Sequence, residues 1–267
     1  MNNIKLIAIL IFVASCSSES SQIKFESLLD SEWSKIVNDN PVYASSMGDL
    51  SQNTKWSDTS VEKIYSDHQD QLAVLNQLDE LDISDFTEEN KVNYLLFKQQ
   101  YENSIESHAY KTFLIPFSHR GGIQLQHETT SIVPLRNKQH YLDWIERISK
   151  IDVLVDAAIE KAKIGIAEEI VPPRFLMQKV YKQIELQAFV EPKDSPFYRA
   201  FLEMDRSIDS DGVQEIQQKA LDVIKSKVIP AYLKLHRFFK DEYLPACRKS
   251  IGIKEINNGK EYYEFLA

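Results

Sequence analysis

Glycine is scarce in this sequence, with 7 residues among 267. Sheet-rich folds need many tight turns, and glycine supplies the backbone conformations that such turns demand. Apolar residues instead recur at steps of three and four along most of the chain, which is the spacing of one face of an α-helix. The sequence therefore predicts an all-α fold: a multi-helix array with one irregular loop at about 110–134 and a long proline-kinked helix near the C-terminus.

An excess of positive charge is also missing. The chain has 31 Lys and Arg residues against 40 Asp and Glu residues, which gives a formal net charge of −9. Proteins that bind nucleic acids need clustered basic side chains to neutralise the phosphates. We therefore expect no nucleic-acid partner.

Cysteine occurs only twice, at Cys16 and Cys247. Cys16 lies in a predicted processing signal, described next, so a single thiol remains in the folded part and no intrachain disulfide is expected. Cys247 has no histidine close to it in sequence. A catalytic thiol needs a nearby base, so we interpret Cys247 as a packed thiol and not as a nucleophile.

Long apolar runs are absent except at the N-terminus, where Leu6 to Ala14 follow the single basic residue Lys5. This run is too short to cross a bilayer as a helix, which takes about 20 apolar residues, but it suits the core of a secretory signal. The sequence from Val13 to Cys16 resembles a bacterial lipobox, in which the cysteine receives a diacylglycerol before cleavage. We predict a lipoprotein signal peptide over 1–15, lipid attachment to the membrane through Cys16, and a polar tether over 16–22.

An uncleaved N-terminal anchor with an incidental cysteine is the alternative interpretation of this segment. Ser17 directly follows the cysteine. By its resemblance to Gram-negative sorting signals, Ser17 indicates the periplasmic face of the outer membrane, and the inner membrane remains the other option. The predicted destination is the cell envelope in both cases.

The longest helical pattern begins near Ser210, and its apolar phase continues across Pro230. Proline inside a helix removes a hydrogen bond and clashes with the preceding turn, so we expect a kink near Ile229. Two separate helices that meet at this point are the alternative. A second open choice concerns 144–162, which is either one bent helix or two helices joined near Asp152. Pro172 and Pro173 are expected to start a further helix.

The segment from Tyr110 to Pro134 lacks helical phase. Its start, Lys111 to Phe117, is β-branched and aromatic, so we expect it to be extended until Gly121 and Gly122 interrupt it. Long irregular segments on a helical scaffold often carry binding groups, although many only connect two helices across the surface. The candidate binding residues in this loop are His119, Arg120 and His127.

Motifs for catalysis are missing from the chain. A zinc peptidase motif needs two histidines at helical spacing with a glutamate between them. His127 and Glu128 are followed by Thr129, Thr130 and Ser131, so no second histidine completes the motif. We predict no catalytic, cofactor-binding or metal-ligating residue in this chain.

Several short segments together resemble one bacterial family. They are Asn40-Pro41 with Gly48, Pro134 before Tyr141-Leu142, Arg147, Ser195-Pro196-Phe197, Ile229-Pro230-Ala231-Tyr232, Tyr243-Leu244-Pro245, Cys247 to Gly252, and Gly259-Lys260-Glu261-Tyr262-Tyr263. In this order they resemble the family of domain of unknown function 885. The resemblance implies an exported or lipid-anchored helical protein that is similar to zinc metallopeptidases.

The resemblance further implies that a His-Glu…His metal site follows on a helix downstream of Gly259–Tyr263. This chain has no match to that site and stops inside an apolar helical pattern at Ala267. Residues 23–267 are therefore expected to be the N-terminal portion of a larger peptidase-like domain, with a missing C-terminal half, zinc and a peptide substrate belonging to the whole protein. The 110–134 loop would then line the substrate cleft. The alternative is a non-catalytic helical binding or scaffold lipoprotein.

Overall fold

The computed structural model describes residues 20–267, and within this range it contains α-helices and short 3₁₀ and π turns but no strand. The prediction of an all-α multi-helix array is confirmed. The α-helices are α1 Ser21–Asp39, α2 Pro41–Met47, α3 Val61–Asp79, α4 Glu88–His108, α5 Lys138–Ile148, α6 Ile151–Ala167, α7 Arg174–Ala188, α8 Ser210–Val223, α9 Ile229–Phe238, α10 Leu244–Ala246 and α11 Gly259–Leu266.

A small core joins α1, α3 and α4 near the N-terminus. Phe25 of α1 is fully buried, and its ring centroid lies 5.8 Å from that of Tyr94 on α4 and 5.5 Å from that of Phe86. Val74 and Leu78 contribute from α3. Apolar residues at helical spacing therefore close three helices around one aromatic centre.

The main core lies among α5 to α9. Fully buried residues that share it are Ile148, Ile151, Val155, Val180, Ile184, Phe197, Ile216, Ile224, Tyr232 and Leu235. The helices α7 and α9 pack along each other in its middle. The choice left open for 144–162 is settled as two helices, because α5 ends at Ile148 and α6 begins at Ile151. Pro173 caps the start of α7, as expected.

The long helix predicted from Ser210 runs through both of its prolines as one helical stretch. A π turn over Ile224–Val228 follows α8 and precedes Pro230, and a second one over Phe239–Tyr243 precedes Pro245. In each π turn the closing N–H reaches back five residues, from Ile229 to the carbonyl of Ile224 in the first. A wider turn relieves the clash that a proline ring makes with the carbonyl four residues earlier. The distortion near Ile229 is thus a π turn, not a break into two helices.

The irregular loop at 110–134 is present, but its start is not extended. Thr112–Leu114 and Ile123–Ser131 form 3₁₀ turns, and Ser118 and Gly121 make an isolated bridge between them. The prediction of an extended Lys111–Phe117 was therefore wrong at its centre. The apolar side chains there point into the core, with Leu114 and Phe117 buried, because they pack against helices and not against another strand.

At the N-terminal end, α1 begins at Ser21, whose preceding residue Ser20 caps it through its side chain. The last two residues of the predicted tether, Ser21 and Gln22, therefore belong to this helix. The predicted signal peptide and Cys16 lie outside the described residues. Within residues 20–267, no helix combines the length and the hydropathy that crossing a membrane requires.

Candidate functional site

The 110–134 loop is fixed to the main core by glutamine side chains. Gln124 in the loop is buried, and its amide nitrogen donates to the carbonyl of Ser118 at 2.6 Å and to Oε1 of Gln183 at 3.2 Å. Gln183 in turn donates to the carbonyl of His119 at 3.2 Å. Gln183 thus attaches the loop to α7 at two points, the side chain of Gln124 and the backbone carbonyl of His119.

A second attachment comes from the long helix. The buried hydroxyl of Tyr232 on α9 donates to the carbonyl of Ile123 at 2.5 Å. Burial raises the pKa of Tyr232, so the hydroxyl stays protonated and remains a donor. Gly122 just before this turn has a φ of 124°, a conformation that side chains with a Cβ rarely adopt. The loop is therefore a positioned part of the core surface.

His127 is the one predicted loop residue that the structure places in a network. Its Nδ1 lies 3.0 Å from Nε2 of Gln187, and its ring lies 5.9 Å from that of Phe197. Burial lowers the pKa of His127. His119 is half-buried and Arg120 is exposed, and within the described part of the chain no hydrogen bond or ion pair joins the three side chains. The structure therefore does not assemble His119, Arg120 and His127 into one centre.

The metal-binding potential of the described residues is low. His127 is adjacent to an exposed carboxylate, Glu128, but a structural or catalytic zinc ion takes three or four protein ligands. Between residues 20 and 267, no group of three or more His, Cys, Asp and Glu side chains lies close enough to hold a metal ion. These residues therefore do not fit a zinc centre by themselves.

An open cleft of about 520 Å³ lies elsewhere, between the 55–60 segment and α6. Trp56 and Leu154 contribute to its apolar surface. Asp58 and Glu160, together with Lys55 and Lys150, place charges of both signs around it. No residue of the 110–134 loop lines this cleft. The sequence did not predict this cleft, because its two sides, at 55–60 and 150–160, are far apart in the chain. Trp56, an aromatic residue just before the polar run Ser57 to Ser60, was the available signal.

Arg147 on α5 holds the wall of this cleft. Its side chain is fully buried, and one Nη donates to the hydroxyl of Ser45 at 2.9 Å and to the carbonyls of Pro41 and Gln52 at 3.4 Å. The backbone carbonyl of Arg147 accepts from Nε1 of Trp56 at 2.7 Å, and the guanidinium lies 5.7 Å from the centre of that ring. Arg147 thereby ties the segment 41–56 to the main core.

This guanidinium has no carboxylate bound to it in the described structure. Burial lowers the pKa of Arg147 to about 10, and the charge of Asp143 opposes that shift only in part. Burying a charged guanidinium without a carboxylate costs free energy, and hydrogen bonds to neutral oxygens compensate for part of that cost. The residue therefore positions the chain around the cleft.

A stacked pair of histidines was also missed from the sequence. The rings of His68 on α3 and His108 at the end of α4 lie 3.9 Å apart at an angle of 10°. Phe113, which follows α4, adds a further aromatic contact to His108 at 5.1 Å. Burial and the neighbouring His68 lower the pKa of His108. The two residues are 40 positions apart, and no local pattern connects them.

The fold and these sites define a helical protein whose irregular loop and open cleft are both built on the α5 to α9 core. A family model described as bacterial protein of unknown function (DUF885) matches residues 41–267. The chain therefore belongs to this family. No curated protein matches the sequence.

Among solved structures, the chain is similar to the crystal structure of a "putative lipoprotein" from Colwellia psychrerythraea, with a TM-score of 0.78 and 18% sequence identity. The match covers 92% of this chain and 45% of that chain. This chain thus spans less than half of the length of the solved protein. At this identity, the similarity shows a shared fold.

Proposed function

We propose that this chain is the N-terminal, lipid-anchored half of an exported zinc metallopeptidase-like hydrolase that acts on peptides. The observation that carries the proposal is the comparison with the solved structure: nearly all of this chain aligns, but it accounts for 45% of that protein. A second portion of similar size would then belong to the working protein.

The described residues do not fit a zinc centre by themselves. The contribution of this half is structural. Arg147 and Trp56 shape one wall of an open cleft, and Gln183, Gln187 and Tyr232 fix the 110–134 loop at the surface. Rigid walls of this kind position a substrate for groups that a second half would supply.

The lipid anchor is the other part of the proposal. It is supported by the lipobox-like sequence that ends at Cys16 and by the description of the Colwellia psychrerythraea protein as a lipoprotein. We place the protein at the cell envelope, on the periplasmic face of the outer membrane. Since α1 begins at Ser21, the folded part starts close to the proposed lipid.

The nucleotide sequence through and beyond the codon for Ala267 in the source genome tests the hydrolase part. An open frame that continues into a helix with a His-Glu…His pattern supports the proposal. The product of that frame should then cleave peptides, and a zinc chelator should abolish the cleavage while the isolated 267-residue chain stays inactive. A stop codon after Ala267, with no partner gene that encodes such a helix, contradicts the proposed hydrolase function.

A non-catalytic binding lipoprotein is the second candidate. The 520 Å³ cleft, with an apolar surface and charges of both signs around it, favours this function because such sites take small ligands or peptide side chains without further groups. This function predicts that the chain of 267 residues binds its ligand alone. Replacement of Trp56 by alanine should then abolish binding, and replacement of the exposed Leu186 on α7 should leave it unchanged.

A further inference from the structure

The helix α4 is apolar on two opposite faces. Its inner face carries Tyr94 and Tyr101, which are buried against α1 and α3. Its outer face carries Val92, Leu95 and Leu96, whose exposed fractions are 55%, 58% and 61%. These three positions share one side of the helix because they are three and four residues apart. A helix that is apolar on both faces normally has both faces covered.

The start of α4 lies beside the start of α1. The two helices run in the same direction, since Gln22 of α1 accepts from the backbone N–H of Thr87, and Glu26 accepts from the side chain of Asn90. Leu96 is eight residues after the first residue of α4, or about 12 Å along its axis. The exposed side chains of α4 therefore lie close to the end of the molecule at which the described chain begins.

Cys16 lies five positions before Ser21, the first residue of α1. Even a fully extended chain of that length spans at most about 18 Å. A lipid on Cys16 therefore brings the start of α1, and the start of α4 beside it, to the membrane surface. This step rests on the lipid anchor of the proposed function.

From these observations we propose that the outer face of α4, formed by Val92, Leu95 and Leu96, docks on the lipid bilayer that holds the anchor. Helices that lie on a membrane bury such a face about 5–10 Å deep, at the boundary between headgroups and acyl chains. The lipid holds the helix at the surface, and the apolar face then fixes the orientation of the whole domain on the membrane.

The charged residues near this face indicate which headgroup charge the bilayer should have. Asp82, Asp85, Glu88 and Glu89 lie directly before or within the first turn of α4, and Lys91 is already paired with Glu88 at 3.0 Å. Acidic residues are repelled by anionic headgroups. The surface therefore fits zwitterionic lipid, such as phosphatidylethanolamine, and not an anionic bilayer.

Spin labels on the lipidated full chain test the docking. One label replaces Leu96 and a matched control replaces Leu186, a leucine of α7 with a similar exposed fraction of 67%. Mass spectrometry first establishes that Cys16 carries lipid. The protein is then placed in vesicles of phosphatidylethanolamine and phosphatidylcholine, and the accessibility of each label to oxygen and to a water-soluble nickel complex is measured.

Docking predicts a several-fold rise in the ratio of oxygen to nickel accessibility at Leu96→Cys on transfer into vesicles, and no rise at Leu186→Cys. Phosphatidylglycerol in the vesicles should reduce the rise. A lipidated protein whose label at position 96 stays open to nickel overturns the docking but not the anchor. Low accessibility to both reagents, with dipolar broadening, overturns it in favour of contact between two copies. A chain without lipid contradicts the anchor and the docking together.

Discussion

Replacement of Arg147 by methionine and by alanine separates the charge of this residue from its packing. The fully buried guanidinium donates one short hydrogen bond to Ser45 and two longer ones to carbonyls of the 41–56 segment. Hydrogen bonds from a charged group contribute about 1.5–3 kcal/mol each when they are well formed. The single short bond sets the gain, because the two at 3.4 Å are weak.

Burial of the charge opposes this gain. The pKa of Arg147 falls from 12.5 to about 10, which corresponds to roughly 3 kcal/mol of penalty on the charged form at neutral pH. The two effects nearly cancel, so Arg147→Met, which keeps most of the buried stem, should change the free energy of unfolding by no more than about 1 kcal/mol. Arg147→Ala also leaves a cavity and should cost a further 2–4 kcal/mol, approximately.

Urea unfolding followed by circular dichroism at pH 7 measures both free energies. Hydrogen exchange of the 41–56 amides should increase in both variants, since each loses the bond to Ser45. If Arg147→Met lowers the free energy of unfolding by more than about 3 kcal/mol, the reasoning is refuted, because the hydrogen bonds would then outweigh the cost of charge burial. A loss below about 1 kcal/mol for Arg147→Ala would refute the packing estimate.

Three further predictions use other parts of the structure. Glu215 of α8 accepts from Lys138 of α5 at 2.7 Å, and the two lysines that bind it lower its pKa from 4.5 to about 2. The pKa of Glu215 is lower in the folded state than in the unfolded state. The wild type should therefore be more stable than Glu215→Gln above pH 4.5, and this difference should vanish as the pH falls towards 2. The free energy of unfolding, measured as a function of pH, checks this. Burial raises the pKa of Cys247 to about 12. This thiol should therefore not react with a disulfide reagent at pH 8 until urea unfolds the chain. Rapid labelling of the native protein would contradict its burial. Tyr232→Phe leaves the carbonyl of Ile123 without its donor and should cost about 1–3 kcal/mol. Hydrogen exchange of the amides at 123–131 should be faster in Tyr232→Phe than in a control variant, Tyr263→Phe, at an exposed position. Equal exchange in both variants would argue against the attachment of the loop by Tyr232.

Local periodicity was sufficient to predict the all-α fold and the long helices, but not the short helix α2 at Pro41–Met47. The stripe from Val213 to Tyr243 kept its phase across Pro230, and the structure keeps the helix there by widening one turn. The second π turn, over Phe239–Tyr243 before Pro245, was not predicted. Helix continuation past a proline depends on whether buried residues on both sides, such as Val228 and Tyr232, share one core.

The contacts that build the loop and the cleft could not be predicted in this way. Gln183 and Gln187 read as polar residues on a helix surface, but they bind a segment about 60 residues earlier in the chain. Arg147 was noted only for its family resemblance, and a buried arginine without a carboxylate contradicts the usual preference for solvent. Such roles depend on which elements meet, and no local pattern of residues records that.

The mass of the mature protein, isolated from the membranes of its own bacterium, tests the proposed function most directly. The account predicts an N-terminal peptide that begins at an acylated Cys16, on a polypeptide that continues past Ala267 or remains bound to a second one with the His-Glu…His helix. It also predicts about one zinc ion per protein, since catalytic zinc sites hold one ion by three protein ligands and a water. An unmodified N-terminus, or an acylated protein that ends at Ala267 without zinc or partner, would contradict the lipid-anchored hydrolase.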